Sequence, residues 1–173
     1  METASSRRSV LERSGPQARS KAPPRFELRC LGLGTVLISE EWKPGARDEL
    51  RRTTPALATM RATRVRTPPF AQLSAAGTMA GAVTVHAKAL SEGLARARGV
   101  TSVSAPASFE MFDGRVAEQL VAVVEVAPGW RTRQRHVLIQ QGECVHHLII
   151  TVAVGNDQVE EEAIRALSTY SPR

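Results

Sequence analysis

Three histidines are the side chains of this chain best suited to metal or acid–base chemistry. His136 lies in one apolar segment, and His146 and His147 lie in the next. A hairpin between the two segments could bring His136 beside one of the pair, with Cys144 on the face of His146. A zinc site needs three or four converging ligands, however, whereas successive residues of a strand point to opposite faces. The ligand set is therefore incomplete, and we expect neither a metal nor a cofactor.

Motifs for nucleophilic or phosphate chemistry are missing from the sequence. It contains no Gly-x-Ser-x-Gly, no P-loop, no dinucleotide-binding glycine pattern and no paired acidic motif. We therefore expect a protein that is not an enzyme. The alternative is a small-ligand-binding protein, or an enzyme of unrecognised type, that uses the region of His136, His146 and Arg133.

A row of cations is the most regular charged pattern in the chain. Arg131, Arg133 and Arg135 alternate along one predicted strand, so their side chains should share a face at intervals of about 6 to 7 Å. Guanidinium groups in a row either lie on a solvated outer face or bind carboxylates or phosphates of a partner. The opposite face of this strand would be polar, as expected for the wall of a groove.

The net charge of +6 is concentrated at the N-terminus. Residues 1–25 carry six cations and two acids, which leaves 17 cations and 15 acids for all other residues. The nearly neutral remainder argues against a nucleic-acid partner. The first 25 residues are also rich in Ser, Arg and Pro and predict a disordered basic tail. With no apolar run of 18 residues and no secretory signal, we expect a cytoplasmic protein that does not insert into a membrane.

Residues 26–171 predict a single α+β domain. The alternation of Phe26, Leu28 and Cys30 with charged residues indicates a half-buried strand, and a second strand should follow the Gly-Leu-Gly bend. Residues 46–56 read as a polar connection and residues 57–65 as a third strand. Helical spacing then predicts one long helix over 78–99.

The second half of this domain should be an antiparallel meander that ends in a helix. Strands are predicted over 101–111, 115–127, 132–141 and 144–154, joined by short turns such as Asp113-Gly114. Asp157 and Glu160 have the spacing of an N-cap and its capping-box partner. Both cysteines, Cys30 and Cys144, lie in apolar runs and should be buried free thiols.

Three segments of the meander carry a family resemblance. They are Phe112-Asp113-Gly114-Arg115-Val116-Ala117-Glu118-Gln119-Leu120, Arg133-Gln134-Arg135-His136-Val137-Leu138-Ile139, and Leu148-Ile149-Ile150-Thr151-Val152-Ala153. Together with the order of the elements, they resemble the DcrB-like family of the PsbP-like α/β superfamily. The resemblance implies an α/β sandwich in a bacterial protein without a catalytic signature. One cytoplasmic branch of this family comprises the Eag-type chaperones of type VI secretion, which hold apolar helices of effectors against a sheet face.

The resemblance therefore implies an adaptor or chaperone that holds an apolar or amphipathic segment of a protein partner. The strands beginning at Arg115, Arg131 and Cys144 would form the receptor sheet, and a homodimer is left open. Periodicity alone does not tell which face of that sheet meets the core. The predicted partner-binding residues are Arg131, Arg133, Arg135, Leu120, Val121, Val123, Leu148 and Ile150.

Overall fold

The structure, a computed structural model, describes residues 25–46, 48–66, 80–142 and 144–173. Residues 1–24 of the predicted tail and the first two residues of the predicted long helix therefore lie outside the described residues. The elements run in the order β1 (Phe26–Leu31), β2 (Gly34–Ser39), β3 (Lys43–Pro44), β4 (Glu49–Arg52), β5 (Ala58–Arg66), α1 (Ala80–Ala95), β6 (Val100–Val103), β7 (Ala107–Glu110), β8 (Val116–Ala127), β9 (Trp130–Gln141), β10 (Cys144–Ala153), α2 (Asp157–Ser168) and β11 (Ser171–Pro172).

The strands form two antiparallel sheets, which confirms the α+β fold. A small sheet has the order β1-β2-β11, and a large sheet has the order β3-β4-β5-β10-β9-β8-β6, with β7 also pairing with β8. The predicted meander is present, since β8 pairs with β9 and β9 with β10. Its turns include Gly114 and Gly129, whose φ angles of 76° and 74° favour glycine.

Two parts of the chain differ from the sequence-based expectation. The predicted polar connection at 46–56 contains β4, in which Leu50 is buried opposite Met60 of β5. A single apolar side chain among arginines gives no periodic signal, so this strand was missed. The strand predicted over 101–111 is two short strands, β6 and β7, separated by a stretch that includes Pro106. Proline cannot donate a hydrogen bond to the ladder, which explains the interruption.

Each face of the large sheet is covered, at least in part, by the chain itself. On one face, here called the α2 side, lie the small sheet and α2, and the main core forms between them, with Trp42 and Tyr170 fully buried. On the other face, the α1 side, Val83 and Ala87 of α1 pack against Leu138 and Val145. The large sheet is thus the middle layer of the domain.

A half-buried carboxylate links helix α2 to the sheets. Glu162 accepts hydrogen bonds from Trp42 Nε1 at 3.1 Å and from the side chains of Ser39 and Arg52. Because these partners come from β2, β4 and the chain between β2 and β3, one side chain links α2 to both sheets. Neither helix in the described part of the chain has the length and apolar character needed to cross a bilayer.

The predicted capping box at the start of α2 is wrong. The N-cap is Asn156, which makes no side-chain capping bond, and Asp157 is the first residue of the helix. Glu160 is buried and bonds to two arginines of β9 instead of turning back to the helix start. Pairing with these cations takes precedence over the local capping contact, because a buried carboxylate needs a charged partner.

Candidate functional site

The histidines divide between the two sides of the large sheet. His136 and His147 lie together on the α1 side, with His136 Nδ1 and His147 Nε2 3.0 Å apart and their rings stacked at 5.2 Å between centroids. His146 lies on the α2 side, where its Nδ1 is 3.0 Å from the hydroxyl of Tyr170. The hairpin thus places His136 beside His147. The sequence allowed His136 to lie beside either His146 or His147.

Burial keeps this histidine pair neutral. It lowers the pKa of His136 to about 4 and is also the main cause that lowers the pKa of His147 to about 4, with smaller contributions from His136 and His86. Burial, followed by the positive charges of Arg64 and Arg115, likewise lowers the pKa of His146. Among the described residues, no group of three or more His, Cys, Asp or Glu side chains is arranged to hold a metal ion.

The alternative ligand region predicted from the sequence is not brought together. His136 lies on the α1 side, whereas His146 and Arg133 lie on the α2 side, as the registers of β9 and β10 require. His146 bonds to Tyr170, and Arg133 bonds to acids of α2. The three side chains therefore do not line one common pocket.

Two of the three aligned arginines are bound to the protein's own helix. Arg133 Nη1 lies 2.5 Å from Glu160 and 3.0 Å from Asp157, and Arg135 Nη2 lies 2.9 Å from Glu160. The hydrogen bond to Glu160 is the main cause that raises the pKa of Arg133. Only Arg131 of the row is exposed. The spacing correctly placed Arg133 and Arg135 on one face, but that face is turned towards α2 and they neutralise a buried acid there.

The apolar residues predicted to bind a partner lie largely inside the domain. Leu148 and Ile150 belong to the main core on the α2 side, and Leu120 is buried on the α1 side. Val121 and Val123 are half-buried on the α2 side, where they are paired with Arg135 and Arg133. Direct contact with a partner is therefore not expected at Leu120, Leu148 or Ile150, because the chain's own helices and small sheet cover them.

An exposed apolar surface lies instead on the small sheet. The exposed fractions are 60% for Phe26, 67% for Leu28 and 46% for Leu37, and Leu33 in the turn between β1 and β2 is 53% exposed. Leu28 and Leu37 are directly opposite each other in the register, and the exposed Cys30 lies next along β1. We call Phe26, Leu28, Cys30 and Leu37 the apolar strip.

The facing of β1 reverses the sequence-based expectation. Its alternation was read as apolar side chains inside, but Glu27 and Arg29 are half-buried and face inwards while the apolar strip faces out. Leu31 is fully buried opposite Gly34, beside the buried Val36. Because a strand has a period of two, an inward Leu31 forces Glu27 and Arg29 inwards. The signal that could have shown this was the position of Leu31, and the expectation of a buried Cys30 is wrong for the same reason.

A second apolar surface lies at the tip of the β8–β9 hairpin. Val126 and Trp130 are exposed there, next to the exposed Arg131. Val154 is near, since its backbone N–H donates to the carbonyl of Arg131 at 3.1 Å. Phe112, in the turn before β8, is 87% exposed and is far more isolated.

Comparison with known proteins shows the fold. No protein-family model matches this chain, and no curated protein sequence does. PA94 of Pseudomonas aeruginosa, a protein of unknown function and candidate regulator, superposes with a TM-score of 0.51 at 19% identity, over 86% of this chain and 97% of that one. At this identity the match shows a shared fold and no shared function.

Two further solved structures match less well. LpqN of Mycobacterium tuberculosis, which is involved in cell envelope biogenesis, has a TM-score of 0.48 at 14% identity, over 87% of this chain and 86% of that one. The Ran-binding protein Mog1p of Saccharomyces cerevisiae has a TM-score of 0.45 at 10% identity, over 84% of this chain and 89% of that one.

Proposed function

We propose that this chain is a non-enzymatic protein-binding module that holds an apolar or amphipathic segment of a partner protein on its apolar strip. The observation that carries the proposal is the exposure of Phe26, Leu28 and Leu37 on two paired strands. Large contiguous apolar patches are uncommon on monomeric proteins and often mark sites of association. Covering them gains roughly 25 cal/mol for each Å² of apolar surface removed from water.

The strands that carry the strip are packed against the rest of the domain. The opposite face of β1 and β2 contributes Leu31, Val36 and Ile38 to the main core, and all three are buried. β2 is also bonded to the C-cap residue of α2, because the backbone N–H of Leu37 donates to Thr169 Oγ1 at 2.9 Å. A preformed surface loses little conformational entropy on binding, which favours affinity.

The polar clusters support a binding role over catalysis. Arg133 and Arg135 are ion-paired with Glu160, and His136 and His147 contact each other in a buried layer. A catalytic base or acid must come within hydrogen-bonding reach of a substrate. Side chains whose partners lie inside the protein are better placed to hold the fold together.

In its finer form, the proposal is a chaperone-like role in the bacterial cytoplasm, similar to that of the Eag-type chaperones of type VI secretion. The support is the resemblance of the segments 112–120, 133–139 and 148–153 to DcrB-like proteins. Such chaperones hold apolar helices of effectors, and the apolar strip offers a surface of matching chemistry. The receptor surface that we propose is therefore on β1 and β2 and not on β8, β9 and β10.

Co-purification with matched variants tests the proposal. Tagged wild-type protein, Leu37→Glu and Phe112→Glu would be isolated from the source cells, and associated proteins would be identified by mass spectrometry. We expect one set of partners with the wild type and with Phe112→Glu, and its loss with Leu37→Glu, because only Leu37 lies in the strip. Equal recovery with all three proteins would show that the strip is not the binding surface.

A further inference from the structure

The outer edge of β1 is the least protected backbone in the small sheet. β1 pairs with β2 along its whole length, and no strand among the described residues pairs with its other edge. An unpaired edge strand with an exposed apolar face is a template for pairing with another strand. The chemistry of β1 therefore bears on what could pair with it.

The charges of β1 are self-complementary. Side chains of a strand alternate between its two faces. When a second β1 pairs with the first in antiparallel fashion, apolar side chains therefore lie beside apolar ones only if the two-fold axis passes through a residue and not between two residues. A register centred on Leu28 places Glu27 of each copy opposite Arg29 of the other, and Leu28 opposite itself. Centring on Glu27 or on Arg29 would place two like charges face to face, which is destabilising. Centring on Phe26 or on Cys30 would pair at most three residues of β1 with each other, so the register centred on Leu28 is favoured.

A second observation points to the same partner. The side chain of Arg29 already binds Glu27 of its own strand, but its Nε is shielded from water and has no hydrogen-bond partner. A shielded and unpaired guanidinium donor is unfavourable in a folded protein. A carboxylate arriving from the neighbouring position, as Glu27 of a second copy would, brings an acceptor to this guanidinium group.

We propose that a second copy of this chain adds its β1 to the free edge of β1, with the two-fold axis at Leu28. The two small sheets then form one six-stranded sheet, with cross-strand Glu27–Arg29 pairs on its inner face. Phe26, Leu28 and Cys30 of the two copies become neighbours on the outer face, and Leu37 of each copy flanks them. The inference concerns assembly and holds whether or not the strip also binds another protein.

Charge reversal with complementation is the test. Molar mass would be measured by sedimentation equilibrium for the wild type, Glu27→Lys, Arg29→Glu and an equimolar mixture of the two variants. We expect a wild-type dimer and a dissociation constant raised at least about tenfold in each variant alone, because like charges then face each other. In the mixture the charges are complementary again, so a heterodimer should form. The double variant Glu27→Lys/Arg29→Glu should dimerise as the wild type does.

Two results would overturn this assembly. A wild-type chain that stays monomeric at the highest workable concentration contradicts it directly. A dimer that persists in both single variants shows that the copies associate through another surface. If either charge variant unfolds, Leu28→Lys replaces it, since Leu28 is exposed in the single chain and the change puts two cations at the two-fold axis. Leu37→Glu, which lies off the β1 edge, should leave the dimer intact while releasing a bound partner, so the two proposals fail separately.

Discussion

The cluster around Glu160 and the apolar strip show opposite relations between residue type and role. The cluster holds two arginines and an acid, the side chains that most often bind partners or substrates, yet each is bonded inside the domain. The strip holds residues that usually fill cores, yet Phe26 and Leu28 face water. The two regions differ in whether their side chains have a partner or cover inside the domain, and this difference does not follow from residue type. A charged side chain with an internal partner supports the fold, whereas an apolar side chain without cover is open to another molecule.

The sharpest contrast is between a leucine of the core and a leucine of the strip. Leu148→Glu should abolish cooperative unfolding, because it buries an unpaired carboxylate between two layers. Leu28→Glu should melt at about the wild-type temperature. Thermal unfolding followed by circular dichroism would compare them. If both variants lose the cooperative unfolding transition, the strip is part of the core and the two regions do not differ in this way.

Removal of the acid at the centre of the cluster should also have a large effect. Glu160→Ala leaves the guanidinium groups of Arg133 and Arg135 without their shared partner, and breaking a buried ion pair in this way costs about 3 kcal/mol. The matched control is Glu161→Ala, since Glu161 is exposed on the same helix and should change the free energy of unfolding by less than about 0.5 kcal/mol. Urea unfolding measures both. Equal effects would mean that the cluster does not hold α2 on the sheet.

The meander was predictable because its signals are local. Turn dipeptides such as Asp113-Gly114 and apolar strands are read directly from neighbouring residues, and the structure has β8, β9 and β10 close to the predicted bounds. The spacing of Arg133 and Arg135 likewise predicted their common face. These features depend on contacts a few residues apart, which a sequence displays.

The facing of each strand was not predictable from the same signals. A period of two tells which side chains share a face but not which face meets the core. For β1 that choice depends on the inward Leu31, and for Glu160 it depends on arginines in another strand. Leu31 lies in the main core with residues of the large sheet and α2, and Glu160 contacts β9, so both choices depend on elements distant in sequence. The strip was therefore missed, and the interior residues Leu148 and Ile150 were taken for a surface.

The histidine pair should make stability depend on pH in a defined window. The pKa of both His136 and His147 is lowered from 6.5 to about 4 in the folded chain. Between these values the unfolded chain binds protons that the folded chain does not, so stability is complete above pH 6.5 and falls as the pH drops towards 4. At pH 5 the loss is about 2 kcal/mol for each histidine.

Urea unfolding at several pH values measures this loss of stability. The variant His136→Leu tests whether the histidine pair causes it. The variant should show a shallower fall between pH 6.5 and 4, because one fewer group takes up a proton on unfolding. Its stability at pH 7 should be compared with that of His136→Gln, which keeps a polar side chain beside His147. An unchanged pH profile in His136→Leu would show that other groups cause the dependence.

The smallest expected effect on stability belongs to the strip itself. Leu28→Ser and Leu37→Ser replace side chains that already contact water, so each should change the free energy of unfolding by no more than about 0.5 kcal/mol. Urea unfolding at low protein concentration, where no second copy contributes, gives this value. The matched interior change is Val36→Ser, because Val36 precedes Leu37 in β2 and is fully buried on the opposite face. Val36→Ser should cost several times more, because it removes buried apolar surface and encloses a hydroxyl group. Should Leu37→Ser prove as costly as Val36→Ser, the outer face of β2 is needed for the fold, and the strip is not free to serve a partner.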